Sequence, residues 1–269
     1  MEQENREHFI QACVGGKGVG KTYTTRLEIA NAIKNGRKAL IFDASLDPEL
    51  TNYKPLRLED IGAFMKQKTP EIRRILGVDR FGQELSAEGK LEMLKDILSV
   101  FRGGILVIED FNNYAVQVNH IPELIGIITT NRHKNLDIIF HFQSLKALDT
   151  RMFQNVKWVR LHKDLENPDT MKDRLSDKYE LFKIASIIVD TEFRKDTPKG
   201  RRFYCYVATD AFKIHGVTNK QFANACVKYL KENNSQISKI KKANSLKTDI
   251  EAYKYFISEK KQLYFPKKN

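Results

Sequence analysis

The sequence predicts an α/β fold with a central, mostly parallel β-sheet. A short apolar strand at residues 8–14 runs into a glycine-rich loop, a helical pattern follows at Lys21–Lys34, and a second apolar strand follows at residues 39–42. Two later apolar runs, residues 105–108 and 138–142, are continuous, as expected of strands that are buried on both faces. Strands that alternate with helices in this way build parallel sheets.

The segment that precedes Gly103-Gly104 shows no convincing strand, and we predict a helical insertion at residues 46–102. Helical patterns occur there at residues 58–65, 70–76 and 87–101. The elements predicted further on are a helix at 121–133, a strand at 156–161, a β-hairpin of 187–193 and 202–208, and two helices at 219–231 and 246–261 joined by a lysine-rich link at 238–244. We therefore expect a core domain, residues 1–165, and a basic C-terminal extension of hairpin and helices, residues 166–269, packed on that core.

Length and composition indicate a soluble protein without membrane insertion. The chain has 269 residues, of which 41% are hydrophobic, enough to bury a substantial core. No stretch approaches the roughly 18 to 20 apolar residues that a membrane helix needs, and the polar start does not resemble a secretory signal. Cys13, Cys205 and Cys226 lack the paired spacing of zinc or redox sites, so we expect free thiols in the cytoplasm.

The positive charge is concentrated near the C-terminus. The net charge is +12, and the last 71 residues hold 16 of the 46 Lys and Arg but only 5 of the 34 Asp and Glu. Such clustering favours a polyanion such as nucleic acid, although a solvated basic surface or an acidic protein partner would also explain it. The candidates for phosphate contact are Arg201, Arg202, Lys239, Lys241, Lys242 and Lys247. The nearby tyrosines either stack on bases or form a packed face of the hairpin, and they are Tyr204, Tyr206 and Tyr229.

The glycine-rich segment matches the P-loop pattern G-x-x-x-x-G-K-[ST] in full, and it lies between a predicted strand and a predicted helix. Its residues are Gly15, Gly16, Lys17, Gly18, Val19, Gly20, Lys21 and Thr22. The glycines let the backbone wrap around phosphates, so that N–H groups and the helix N-terminus face negative charge. Lys21 is expected to reach the β- and γ-phosphates, and the Thr22 hydroxyl to ligate magnesium. The motif thus predicts binding of ATP and Mg²⁺.

Hydrolysis also needs one carboxylate for magnesium and one for the attacking water. Glu109-Asp110 follow the predicted strand at 105–108 and fit this position. The usual order is Asp then Glu, so we assign Glu109 to magnesium and Asp110 to the water, with the reverse as an alternative. Gln143 ends the next strand, where its amide can contact the γ-phosphate and the water. Asp43 either supports the site or caps a helix.

Residues 15–22, 105–110 and 132–143 together resemble the FtsK–HerA superfamily. Within it they are most similar to the zonula-occludens-toxin-like and viral genome-packaging ATPases, in which an Arg precedes the strand that ends in Gln. The resemblance covers about residues 8–162. It implies a RecA-like P-loop ATPase that acts as a ring, usually a hexamer, and pumps DNA through a central channel.

By the same resemblance, Arg132 is the candidate arginine finger that is inserted into a neighbouring subunit's site. A surface Arg at a helix end is the alternative, and Arg102 and Arg151 compete for the role. The implied partners are DNA, further copies of the chain, and a capsid or portal protein. The chain departs from the family in its inverted acidic pair and in lacking the membrane helix of filamentous-phage relatives. This favours a soluble DNA-packaging or DNA-transfer motor of a virus or mobile element, in the host cytoplasm or with the virion.

Three other functions were weighed against the motor. A nucleotide-switched assembly or partitioning ATPase is the alternative from another class, but Lys17 lies one residue closer to Lys21 than the signature lysine of that group. A GTPase is disfavoured because the sequence has no guanine-reading Asn-Lys-x-Asp motif. A small-molecule kinase would need a lid and an acceptor pocket, which the helical insertion could contain.

Overall fold

A computed structural model of the chain describes residues 8–115, 126, 134–148 and 150–266. The chain divides into two compact units. The first comprises Met1–Cys13 and Gly20–Lys157, and the second comprises Val14–Val19 and Trp158–Asn269. The P-loop motif therefore begins in the second unit and continues along the chain into the first.

The first unit contains a parallel sheet. Its strands are β1 Ile10–Val14, β2 Ala39–Asp43, β3 Lys54–Pro55, β4 Ile72–Leu76, β5 Ile105–Ile108 and β6 Asp137–Phe142. Their order across the sheet is β3-β4-β2-β5-β6-β1, and the pairs β3–β4, β4–β2, β2–β5 and β5–β6 are parallel. Strand β1 lies beside β6, where the Ile138 N–H donates to the Phe9 carbonyl at 3.1 Å. The predicted α/β fold with a mostly parallel sheet is confirmed.

Five helices accompany this sheet in the part of the chain that the structure describes. They are α1 Lys21–Lys34, α2 Ile61–Lys66, α3 Ala87–Val100, α4 Phe111–Ala115 and α5 Thr150–Asn155. The N-cap of α3 is Ser86, whose hydroxyl accepts the Gly89 N–H at 3.1 Å. One side of α1 is buried against the sheet and forms the core of this unit. The buried residues of that core are Cys13, Ile29, Ala32, Ala39, Ile41, Leu50, Ile105, Val107 and Ile139.

The helix predicted at residues 70–76 is wrong, because this segment forms β4 and pairs in parallel with β2. Two adjacent arginines made the segment look too polar for a sheet. Arg74 Nη1 lies 3.3 Å from Asp43 Oδ2, and Arg73 Nε lies 2.8 Å from Glu71 Oε1. These ion pairs let charged residues occupy a strand, and the insertion predicted at 46–102 therefore contains β3 and β4 as well as helices.

The second unit combines a small antiparallel sheet with helices. Its strands are β7 Trp158–Leu161, β8 Cys205–Ala208 and β9 Lys213–His215, and both pairings are antiparallel. Its helices are α6 Lys172–Leu175, α7 Tyr179–Phe193, α8 Pro198–Arg201, α9 Asn219–Glu232, α10 Asn234–Ala243 and α11 Asp249–Tyr264. Helix α7 packs against α9 and β8, and α11 packs against α9 and α10. Capping boxes start α9 and α11, formed by Thr218 with Gln221 and Thr248 with Glu251.

Two predictions in this unit are wrong. Residues 187–193 belong to α7, not to a hairpin, and the hairpin is formed by β8 and β9. The run Ile187-Ile188-Val189 favours a strand locally, but the buried positions Leu181, Ile184 and Ile188 recur at helical spacing. The lysine-rich link at 238–244 lies mostly within α10, which Ile237 anchors in the core with 6% of its surface exposed.

Three further predictions concern cysteines, membrane helices and one segment of the chain. Cys13, Cys205 and Cys226 are free and buried, as expected. Within the described ranges, no helix combines the length and apolarity required to span a bilayer. The helix predicted at 121–133, apart from Gly126, lies outside the described residues, and Arg132 lies there with it.

Candidate functional site

The first half of the P-loop lies against the residues that follow β7. The Val14 carbonyl accepts the His162 N–H at 2.8 Å, and the Gly16 N–H donates to the Lys163 carbonyl at 2.8 Å. A Cβ atom at Gly15 would come within 2.7 Å of His162 Cβ, so this position requires glycine. Residues Gly15, Gly16 and Val19 are buried, whereas Lys17 and Gly18 are exposed.

The second half of the P-loop opens α1. Gly20 occupies the N-cap position with a φ of 89°, a left-handed conformation that favours glycine. Lys21 and Thr22 occupy the first turn and are half-buried. The first turn carries no acidic side chain, and Gly20 has no side chain to cap it. The N–H groups of this turn are therefore suited to bind an anion, as the motif predicts.

The parallel register brings the strand ends of β2, β5 and β6 to one edge of the sheet. Ile108 is paired with Phe42 on one side and with Phe140 on the other. The next residues along these strands are Asp43, Glu109 and His141, which therefore lie at the same level. Gln143 follows the end of β6, as predicted.

Glu109 is held by a buried histidine that the sequence analysis treated only as part of an apolar strand. His141 Nδ1 lies 2.7 Å from Glu109 Oε2, and its Nε2 lies 2.8 Å from Thr25 Oγ1 on α1. Only 1% of His141 and 5% of Glu109 are exposed. The signal that could have revealed this contact is a single His within a strand that is otherwise apolar on both faces.

Burial and the neighbouring groups shift the pKa of His141 in opposite directions. Burial alone lowers it, but the charge of Glu109 and hydrogen bonds with Cys13 and Glu109 outweigh burial, so that the pKa is raised from 6.5 to about 9. His141 therefore forms a buried ion pair with Glu109 at neutral pH. This pair fixes the orientation of the Glu109 carboxylate, which follows the last residue of β5.

Asp110 and Gln143 have different surroundings from Glu109. Asp110 is half-buried, has a left-handed φ of 47°, and its Oδ2 accepts the Ser45 hydroxyl at 3.1 Å. Such a conformation is unusual for a residue other than glycine and occurs more often at functional sites. The Gln143 N–H donates to Asn112 Oδ1 at 3.3 Å. The sequence analysis missed Ser45 and Asn112, because neither belongs to a recognisable motif.

Asp43 has a structural role. It is fully buried, accepts the Asp47 N–H at 2.9 Å, and pairs with Arg74. Burial raises its pKa, and the Asp47 N–H and Arg74 oppose that shift. Of the two interpretations offered for Asp43, the structure favours a cap of the following turn.

The remaining candidates are dispersed. Arg102 and Arg151 are exposed. Arg201 pairs with Asp196 and Lys241 with Asp249, both at 2.6 Å. Further exposed lysines of the second unit include Lys220, Lys231, Lys239, Lys242, Lys247 and Lys254.

The tyrosines near these basic residues are packed rather than arranged to stack on bases. Tyr229 is 2% exposed and stacks on Phe256, and Tyr204 packs edge-on against Tyr206 with ring centroids 5.5 Å apart. This favours the packed-face interpretation.

The predicted magnesium ligands, Thr22 and Glu109, are oxygen donors, as magnesium requires. Among residues 8–115, 126, 134–148 and 150–266, no three His, Cys, Asp or Glu side chains form a metal cluster. Magnesium needs no such cluster, since it keeps several waters and takes oxygens from the phosphates and from one or two protein groups. The Thr22 hydroxyl and the Glu109 carboxylate are donors of that kind.

Comparison with known proteins identifies the family of the chain. The family model described as zonular occludens toxin (Zot) matches residues 10–199, which confirms the resemblance inferred from the motifs. No curated protein matches the sequence.

Solved structures show the fold. The chain is similar to the genome packaging NTPase B204 from Sulfolobus turreted icosahedral virus 2 in complex with sulfate (16% identity, 78% of this chain and 95% of that chain, TM-score 0.53). The same protein with AMP matches at 15% identity over 78% of this chain and 98% of that chain, TM-score 0.53. B204, the DNA-packaging ATPase from Sulfolobus turreted icosahedral virus, matches at 14% identity over 77% and 95%, TM-score 0.52. The predicted P-loop NTPase fold is confirmed.

The first testable prediction concerns His141. His141→Ala strands the buried Glu109 carboxylate and should lower the free energy of unfolding by about 3 to 5 kcal/mol near neutral pH. The folded-state pKa lies above the ordinary value of 6.5, so this stabilisation is fully present below pH 6.5 and is lost as pH rises through about 9. Urea unfolding of the wild type and of His141→Ala at pH 6.5 and 9.5 measures the difference in unfolding free energy.

His215→Ala is the matched control, because His215 is half-buried and its pKa is lowered, not raised. We expect His215→Ala to cause a small loss of unfolding free energy that is no smaller at pH 9.5 than at pH 6.5. A loss for His141→Ala that is equal at the two pH values would contradict the buried ion pair.

Proposed function

The chain belongs to the zonular occludens toxin (Zot) family, and from this membership we propose that it is a magnesium-dependent ATPase that translocates DNA as a hexameric ring. The observation that carries the proposal is a complete P-loop on a sheet whose carboxyl edge presents Glu109 and Gln143. The fold shared with B204, described as a DNA-packaging ATPase, supports packaging or transfer of DNA for a virus or mobile element.

The P-loop is the proposed binding site for the phosphates of ATP. Backbone N–H groups of residues 17–20 and of the first turn of α1 would bind the phosphates, and Lys21 would neutralise their charge. The Thr22 hydroxyl and Glu109 hold magnesium, which when bound neutralises charge on the phosphates. The contact with His141 keeps Glu109 in one orientation, as hydrogen bonds from neighbouring residues do for carboxylates that bind metals.

Asp110 is proposed to orient or deprotonate the attacking water. It follows Glu109 directly, but it is partly exposed, and its carboxylate accepts a hydrogen bond from the Ser45 hydroxyl. A carboxylate that water can reach is suited to orient or deprotonate that water. Gln143 would couple hydrolysis of the γ-phosphate to the residues that follow it. Arg132 would act in the site of a neighbouring subunit.

The basic helices of the second unit are the proposed DNA contacts. Lys239 and Lys242 lie on the exposed side of α10, and Lys231 and Lys247 lie near its two ends. Contacts to phosphates alone would suit a motor that must move along any sequence. Docking of these lysines on an acidic portal or capsid protein is the alternative, and it predicts no effect of DNA on hydrolysis.

The second prediction tests the motor directly. DNA should raise the rate of ATP hydrolysis, and added salt should weaken that effect, because binding depends on phosphate contacts. Lys21→Ala should lower turnover by about 10²- to 10³-fold with or without DNA. Steady-state assays with single- and double-stranded DNA, together with size-exclusion chromatography in the presence of nucleotide, provide the measurement.

If DNA leaves the rate unchanged and no ring forms with nucleotide, the motor proposal fails. The protein would then fit the nucleotide-switched assembly ATPase. Turnover of Lys21→Ala at the wild-type rate would instead exclude the P-loop as the hydrolytic site.

The third prediction separates the two acids. Glu109→Gln should raise the magnesium concentration needed for half-maximal hydrolysis by about 10- to 100-fold. Asp110→Asn should leave nucleotide affinity intact and lower kcat by about 10²- to 10⁴-fold. Magnesium titrations and single-turnover hydrolysis distinguish the two effects, and an exchange of the two phenotypes would reverse the assignment.

A further inference from the structure

A second buried histidine, His162, contacts the P-loop and has no role in the function proposed above. It follows β7 directly and is fully buried. Its Nδ1 lies 3.2 Å from the Val19 carbonyl oxygen. A carbonyl oxygen can only accept a hydrogen bond, so Nδ1 carries the proton and donates.

This hydrogen bond sets the direction of the next peptide N–H. No peptide bond among the residues that the structure describes is cis, so the Val19–Gly20 peptide is trans. In a trans peptide the C=O and N–H groups point in opposite directions. Because His162 holds the Val19 carbonyl toward itself, the Gly20 N–H must point away from it. Backbone N–H groups of this loop are the groups that would bind phosphate.

His162 also contacts the start of the loop. Its own N–H donates to the Val14 carbonyl, and its Cβ allows only glycine at position 15. One residue therefore touches both ends of the segment that carries the exposed Lys17 and Gly18. Contacts at both ends limit the conformations that the segment can adopt.

The ring of His162 is held in turn by Tyr204. The antiparallel pairing of Leu161 with Cys205 places Tyr204 opposite His162. The two rings lie 5.1 Å apart between centroids with a tilt of 36°, and Tyr206 packs edge-on against Tyr204. The orientation that aims Nδ1 at Val19 is therefore built into the sheet of the second unit.

We propose that His162 is a positioning residue that holds the P-loop in its phosphate-binding conformation by donating from Nδ1 to the Val19 carbonyl. The proposal rests on the proposed function of the loop as a nucleotide site. It assigns His162 no contact with the nucleotide and no part in proton transfer.

The test compares two amide replacements. The Asn side chain places its N–H₂ donor near the position of Nδ1, whereas Gln places it near Nε2. We expect His162→Asn to bind mant-ATP with nearly wild-type affinity, and His162→Gln and His162→Ala to bind about tenfold more weakly, as for the loss of one hydrogen bond. Urea unfolding shows whether each variant is folded, and the Asn and Gln pair suffices if the Ala variant is not.

Hydrogen exchange without nucleotide provides the second readout. The amides of residues 17–22 should exchange faster in the Gln and Ala variants than in the wild type or the Asn variant. Equal behaviour of Asn and Gln in both measurements, or wild-type behaviour of a folded Ala variant, would overturn the role of His162. If the wild type itself fails to bind mant-ATP, the proposed function fails, and the exchange rates still decide the role of His162.

Discussion

The arrangement of the candidate site depends on the register of three parallel strands. Pairing of β2, β5 and β6 puts Ile108 level with Phe42 and Phe140, so the residues that follow them meet at one edge. A shift of one residue in β6 would reverse the faces of its side chains and remove His141 from Glu109. The side chains of Glu109 and His141 are buried together because this register pairs them, and Thr25 of α1 contacts His141.

Much of this fold could be predicted because its signals are local. The P-loop motif and the apolar run Ile105–Ile108 each depend on a few consecutive residues. The errors arose where distant contacts override local preference. Arg74 belongs to a strand because Asp43 lies on the neighbouring strand. The β-branched residues near Ile188 are helical because the apolar face of α7, to which they belong, is buried.

The candidate site was predictable to a similar extent. Lys21, Thr22, Glu109 and Gln143 follow from motif spacing and strand ends, and the structure places them at the start of α1 and the carboxyl edge of the sheet. His141 and His162 could not be assigned from spacing, because their roles come from strand neighbours that only the folded chain supplies. Both histidines act on main-chain or carboxylate groups, and neither would be recognised from its immediate sequence.

The central claim is that hydrolysis at the P-loop drives movement along DNA, and displacement of the third strand from a DNA triplex tests it most directly. The account predicts displacement that requires ATP, is not supported by a non-hydrolysable analogue, and is absent from Lys21→Ala. DNA binding and ATP turnover without displacement of the third strand would contradict it.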